Sequence, residues 1–236
     1  SFLLLGGDAS EDYRKDTPKS NVDWVPTMMH YANVPGVAGL EMAGSDTWYV
    51  QFLREGDATR DVLPEMHVGR LPVESVEEVE TIVGKILDYE TQPDMSDPSW
   101  FTTAGLTGDP SSSGYSTIFV NQFVKSLLLD LGYTQIDTIW GGNFQDLIYN
   151  TVTAGETLFT YRGYLNMSGM SSSHIMSLSN GRQLPFACIL TCDTGSFADD
   201  GSCRSEAFLL ALIFAIVTLA GLALATTAAV AADLAG

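Results

Sequence analysis

The side chain best placed to do chemistry in this sequence is Cys192. It closes the run Leu184-Pro185-Phe186-Ala187-Cys188-Ile189-Leu190-Thr191-Cys192, and the apolar character then stops at Asp193-Thr194-Gly195-Ser196. A run of this length reads as a core strand, and in a parallel sheet the crevice beyond the carboxyl ends of the strands is where ligands bind. A thiol at that point is accessible and lies beside backbone N–H groups, which suits a covalent nucleophile. All three cysteines, Cys188, Cys192 and Cys203, fall within 16 residues, without a CxxC pair or a histidine cluster, so a zinc site is not indicated. Cys188 and Cys192 are four apart on the expected strand, roughly 13 Å, beyond the reach of a disulfide. A Cys192–Cys203 bridge stays sterically open, so cysteine usage does not settle the redox compartment.

A cysteine nucleophile needs a base, and the chain has three histidines. His174 is the near one, 18 residues before Cys192 in Ser172-Ser173-His174-Ile175-Met176, where it begins a short helix. Two roles are open to it: a surface or helix-capping residue, or the partner of the thiol. His30 lies in a loop context and His67 in a strand-like one, and both read as structural. Asp193-Thr194-Gly195-Ser196 is also the short signature of aspartic proteases, but those need two such carboxylates on β-rich lobes. This chain has one copy in a βα setting. A Gly-x-Ser-x-Gly nucleophile elbow is absent.

The elements that must carry Cys192 follow from periodicity. Phe2 to Leu5, stopped by Gly6-Gly7-Asp8, reads as a buried parallel strand. Residues 9–40 read as a loop region, and Trp48-Tyr49-Val50-Gln51-Phe52 as an exposed strand. Ser75-Val76-Glu77-Glu78 is a capping box that opens a helix with Val76, Val79, Val83, Ile86 and Leu87 on its apolar face. Phe101 to Leu106 predicts a strand. A helix follows with Val120, Phe123, Val124, Leu127, Leu128 and Leu131 as its stripe, closed by Gly132. Ile136 to Trp140, a helix from Asn143 to about Val152, and Thr157 to Tyr161 complete an alternation of strand and helix. That order predicts an α/β fold, a mostly parallel sheet flanked by helices.

With 236 residues the chain can bury one sizeable core, and its 29 acidic against 11 basic residues give a net charge of −18. A nucleic-acid partner is disfavoured, since phosphate binding requires the opposite sign. The acid is spread along the chain and reads as a self-repelling, soluble surface. The chain opens as though a strand were already in progress, as expected for a fragment or mature piece without a signal peptide. Ala207 to Ala232 carries no charge. Its length licenses a membrane span, whereas its Ala/Thr-rich second half and lack of aromatic or lysine anchors suit core-completing structure; both readings stay open.

Several pieces, in collinear order, resemble the gingipain-like cysteine peptidases, of caspase-like α/β fold. They are Leu3-Leu4-Leu5-Gly6-Gly7-Asp8, Ser45-Asp46-Thr47-Trp48-Tyr49, Val68-Gly69-Arg70-Leu71-Pro72-Val73-Glu74-Ser75, Lys85-Ile86-Leu87-Asp88-Tyr89-Glu90 and Leu131-Gly132-Tyr133-Thr134. The most specific is Gln183-Leu184-Pro185-Phe186 through Thr191-Cys192-Asp193-Thr194-Gly195-Ser196-Phe197 to Ser205-Glu206-Ala207. The resemblance implies a peptidase domain over 1–206, in which residues 1–98 form an N-terminal portion and residues 99–206 the catalytic portion, followed by the apolar segment 207–236. It implies a Cys–His dyad with Cys192 as nucleophile, and backbone donors at Gly163 and Cys192 for an oxyanion. The family histidine follows a glycine after the preceding core strand. Here that place reads Tyr161-Arg162-Gly163-Tyr164-Leu165, so Gly163 matches and Tyr164 occupies the histidine position. Imidazole, with a pKa near 6.5, can take and return a proton at neutral pH, whereas phenol, near 10, starts protonated.

Thr117 stands where arginine-directed members carry the acidic residue that reads a basic side chain, so an arginine preference is not carried over. Asp109 falls near a family acid that orients the histidine, although a turn residue in Gly-Asp-Pro is the simpler reading. Family members bind calcium, and Asp46, Asp57 and Asp61 are the candidate oxygen ligands; no other cofactor is required. The expected function is hydrolysis of polypeptide substrates through the Cys192 thiolate. The alternative is an impaired peptidase-like domain that binds or assembles at a surface. The expected location is secreted or on a bacterial cell surface, with a cytoplasmic one also open, and membrane contact would run through the C-terminal segment.

Overall fold

A computed structural model describes residues 1–18, 22–32, 41–52 and 64–211. These form two compact units, residues 1–78 with 196–202, and residues 79–195 with 203–211.

In the first unit β1 (Phe2–Gly6), β2 (Met28–Ala32), β3 (Glu41–Ser45) and β4 (His67–Leu71) make two small sheets. β1 runs parallel to β4 and β2 antiparallel to β3. Two expectations change here. The supposed loop 9–40 contains β2, and Trp48 falls in a 3-10 turn, Thr47–Val50, instead of a strand. The turn is fixed by Tyr49 donating its amide to the Asp46 carbonyl at 3.1 Å, a local closure that alternation cannot report. β1 is parallel as expected but not buried throughout: Leu5 is buried while Phe2 and Leu4 are exposed.

The unit is tied together by an ion pair. Arg70 Nε donates to Asp46 Oδ2 and Nη2 to Asp46 Oδ1, both at 2.7 Å, and Nη1 reaches the carbonyls of Gly7 and Val25. Both side chains are buried, and the guanidinium lies 4.7 Å from the Phe197 ring centroid. Removing one member leaves the other charge dry and unpaired. Arg70→Ala is therefore expected to cost about 3–5 kcal/mol, read as a lower urea midpoint; a loss under 1 kcal/mol would show that water replaces the guanidinium.

Helix α1 (Val76–Thr91) begins at the end of the first unit and runs into the second, where β5 (Thr103–Gly108), α2 (Ser116–Asp130), β6 (Gln135–Ile139), α3 (Phe144–Thr153) and β7 (Leu158–Leu165) follow. Then come α4 (Ser172–Met176), β8 (Phe186–Cys192) and α5 (Arg204–Leu210). The sheet order is β6-β5-β7-β8, and every pair is parallel. Neighbouring strands that run in the same direction need a crossover, and the intervening helices supply it.

One face of this sheet carries the main core, with Phe159, Tyr161, Ala187 and Ile189 packed on Ile148 and Val152 of α3, Ile175 of α4 and Phe208 of α5. On the other face Ala104 and Leu106 meet Leu128 of α2. The predicted α2 stripe is not the buried one. Phe123, Leu127 and Leu131 are exposed, whereas Thr117, Ile118, Asn121 and Leu128 are buried. Asn121 draws that side inward: its Nδ2 donates to the Thr107 and Thr117 carbonyls, and its Oδ1 accepts from Thr160 Oγ1 at 2.8 Å. A buried amide with these bonds satisfied is tolerated, yet it counts as polar in any hydrophobic pattern. On α1 the buried residue is likewise Ile82, while Val76, Val79, Val83 and Leu87 are exposed.

Among the described residues no helix is long and apolar enough to cross a membrane. Most of the apolar segment 207–236 lies outside the described residues.

Candidate active site

Cys192 is the last residue of β8 and is half-buried. Ala187 and Ile189 belong to the main core, so strand alternation turns Cys188, Leu190 and Cys192 to the opposite face. The neighbouring strand is irregular at this height. Arg162 pairs with Leu190 and Leu165 with Cys192, so Gly163 and Tyr164 together stand against Thr191. This is a bulge, the device that re-aims a strand at its end.

The main chain around the thiol is held on both sides. Asn166 N donates to the Cys192 carbonyl at 2.8 Å, and Thr191 Oγ1 donates to the Asn166 carbonyl at 3.0 Å. Asn166 and Asp193 take left-handed backbone angles, φ 58° and 62°. Asn and Asp tolerate that region better than other side chains, so both strands end in sharp turns beside the thiol. Arg204 of α5 fixes the first turn by donating to Asn166 Oδ1 and, from Nε, to the Met170 carbonyl at 2.7 Å. The second is closed by Ser205, whose amide and hydroxyl both reach the Thr194 carbonyl at 2.8 Å.

Gly163 must be a glycine, since a Cβ there would lie 2.9 Å from the Tyr161 ring. Tyr161 is buried, accepts from the Ser168 amide at 2.8 Å and donates to Asp109 Oδ2 at 3.1 Å. Ser168 Oγ donates to the same oxygen, and Asp109 Oδ1 accepts from the Ser111 amide at 2.9 Å. Burial alone would raise the Asp109 carboxyl, but these donors from Ser168, Ser111 and Tyr161 outweigh it and hold the group below the usual carboxylate range. Asp109 thus closes a turn and anchors Tyr161; its carboxylate binds no histidine.

His174 sits in the first turn of α4 and caps it. Its Nδ1 faces the Ser171 amide at 3.3 Å and the Ser171 hydroxyl at 3.0 Å, completing a capping box. One ring nitrogen is therefore spent locally. Thr117 is buried, with its hydroxyl given to the Gly114 carbonyl at 3.1 Å. Asp46 carries no open oxygen for calcium, because Arg70 and Thr27 occupy its carboxylate. Asp57 and Asp61 lie outside the described residues. No group of three or more His, Cys, Asp or Glu side chains able to hold a metal occurs among the described residues.

The remaining cysteines are unlike Cys192. Cys203 is pushed up to about 12, first by burial and then by the nearby Glu206 charge, and its sulfur lies 3.0 Å from Ser205 Oγ. Cys188 sits mid-strand opposite Thr160. All three are free thiols. A separate depression lined by Lys85, Asp88, Tyr89, Gly181, Arg182 and Leu184 lies before the start of β8, about 20 Å of strand away from Cys192.

Sequence reasoning overlooked Arg162. It lies on β7 two residues before Tyr164, and its Nε is buried with no hydrogen-bond partner. The signal was a lone cation in the strand Leu158-Phe159-Thr160-Tyr161-Arg162, where a charge is otherwise costly.

The family model described as peptidase family C25 matches residues 1–229. Gingipain R2 and gingipain R1 of Porphyromonas gingivalis are each 28% identical over 158 residues, which is 62% of this chain and 21% and 16% of those proteins. The crystal structure of the Arg-specific cysteine proteinase gingipain R superposes with a TM-score of 0.65 at 26% identity, covering 89% of this chain and 45% of that one. The complex of the pro- and mature domains of a Porphyromonas gingivalis gingipain gives 0.64 at 26% identity, covering 89% and 46%. The chain thus spans about a fifth of the curated relatives and under half of the solved chains.

Proposed function

Because the chain belongs to peptidase family C25 and shares the caspase-like α/β fold of its solved relatives, we propose that it cleaves peptide bonds in polypeptides with Cys192 as nucleophile. The observation that carries this reading is the seat of Cys192, at the end of a core strand between a bulge and two left-handed turns. Sγ attacks the scissile carbonyl carbon, and the negative charge that develops on its oxygen is met by the amides of Gly163 and Cys192. The C–N bond then breaks, the amine leaves with a proton taken from solvent, and water hydrolyses the thioester to release the carboxylic acid and restore the thiol. With Tyr164 beside the site in place of an imidazole, the thiol proton passes to solvent, and turnover is slow. The likeness to the gingipains supports a location outside the cell or on a bacterial surface.

One observation favours a second reading, a peptide-binding domain without turnover. His174 is the only histidine in the second unit, and its Nδ1 is committed to the α4 cap.

Iodoacetamide separates the two. Cys192 is expected to alkylate ahead of Cys203, which burial holds as a thiol, and ahead of mid-strand Cys188. Peptide cleavage should decline in step with Cys192 modification, mapped by mass spectrometry. Cleavage that persists after Cys192 is fully modified would end the thiol reading. Peptide binding without any cleavage before modification would favour the second.

A further inference from the structure

An unassigned group on the strand beside the nucleophile's is Arg162. In a parallel ladder, paired residues project to the same face, so the pairing of Arg162 with Gly108 and Leu190 fixes its side. A Cβ on Gly108 would meet the Thr117 carbonyl at 2.9 Å, which puts α2 over that side. Thr160, two residues earlier on β7, donates to Asn121 of α2, as alternation requires. Cys192 follows Leu190 by two residues, so it shares the face. The Arg162 and Cys192 Cα positions are thus about 8 Å apart, one strand over and two residues along.

A guanidinium with one nitrogen buried and unbonded is a costly arrangement unless something binds it. No carboxylate among the described residues pairs with it. Asp109 gives its amide to the Arg162 carbonyl at 2.9 Å but commits its carboxylate to Ser111, Tyr161 and Ser168. The first turn of α2, on the same face, contains no acidic residue, and Tyr115 at its N-cap makes no side-chain cap. Its partial positive charge therefore adds to that of Arg162.

We propose that Arg162 reads an acidic side chain, aspartate or glutamate, on the substrate residue N-terminal to the cleaved bond. Arginine meets a carboxylate with two parallel hydrogen bonds, which gives direction as well as charge. A basic side chain in the same place would face a like charge with no counter-ion. This rests on Cys192 marking the cleavage point.

The test uses the whole chain and a set of fluorogenic peptides differing only at that residue: Asp, Glu, Ala or Arg. The acidic peptides are expected to exceed the Ala peptide in kcat/KM by at least about tenfold, with the Arg peptide poorest. Arg162→Gln should erase the difference and Arg162→Lys should keep some of it, with circular dichroism checking the fold of each. Calorimetric binding of the same peptides to Cys192→Ala reads recognition without chemistry. The acidic preference in binding with no cleavage by the wild type would keep this proposal and remove the catalytic one. Equal binding of all four peptides, a preference for Arg, or an acidic preference unchanged in Arg162→Gln would overturn it.

Discussion

Tyr164→His is expected to raise kcat for peptide cleavage by about 10²- to 10⁴-fold, the usual contribution of a positioned general base. Tyr164 lies in the β7 bulge against Thr191, one residue before Leu165, the ladder partner of Cys192, so an imidazole introduced there sits on the strand adjoining that of the thiol. The phenol cannot accept the thiol proton at neutral pH and then return it to the departing amine; an imidazole can do both. The variant should also acquire a rising limb in its pH–rate profile near the imidazole pKa, about 6.5. His174→Ala, made in parallel, should leave cleavage unchanged and cost about 1 kcal/mol of stability through the lost α4 cap. If Tyr164→His is silent and His174→Ala abolishes cleavage, the base is His174 and its bond to Ser171 must break during turnover.

Cys192→Ala should lower cleavage by at least about 10³-fold, because the covalent route disappears and only binding and backbone donors remain. Its effect on stability should be small. The side chain is half-buried at a strand end, and the turns around it are held by Asn166, Thr194 and Ser205 through backbone groups that the substitution leaves intact. Cys203→Ala is the useful contrast. That half-buried thiol lies 3.0 Å from Ser205 Oγ, so its removal should lower the urea midpoint without reducing kcat per folded molecule. Comparable losses of kcat in both variants would mean that Cys192 acts through packing, and equal activity of Cys192→Ala and wild type would exclude the thioester.

The strand–helix order of residues 103–192 could be read from sequence because each element carries its own period and its own stop signal. Asn143 caps α3 and Gly132 ends the turn after α2, at φ 92°, as their types required. Elsewhere local pattern misled. The stripe expected on α2 is largely exposed because Asn121 satisfies its amide against the sheet and Thr117 its hydroxyl on the Gly114 carbonyl, and burial follows satisfied hydrogen bonds as well as hydrophobicity. Trp48 to Phe52 has strand-like composition, yet Tyr49 bonds back to Asp46 and coils. Asp46 looked like a free oxygen ligand because its partner, Arg70, lies 24 positions away in sequence.

By itself the sequence determined the family and set Cys192 at the end of a core strand, with Tyr164 on the strand before it, since these are matters of residue type and spacing. Only the tertiary structure decided what each neighbour is free to do. Whether His174 can reach a thiol, whether Asp46 can hold a cation, and whether Arg162 already has a counter-ion depend on groups brought together from other elements. Hydrogen-bond capacity is finite, and the fold allots it: His174 to a helix cap, Asp46 to Arg70, Asp109 to Tyr161 and Ser168. Arg162 keeps a buried donor unassigned beside Cys192, and that surplus could be seen only after every other donor and acceptor around it had been placed.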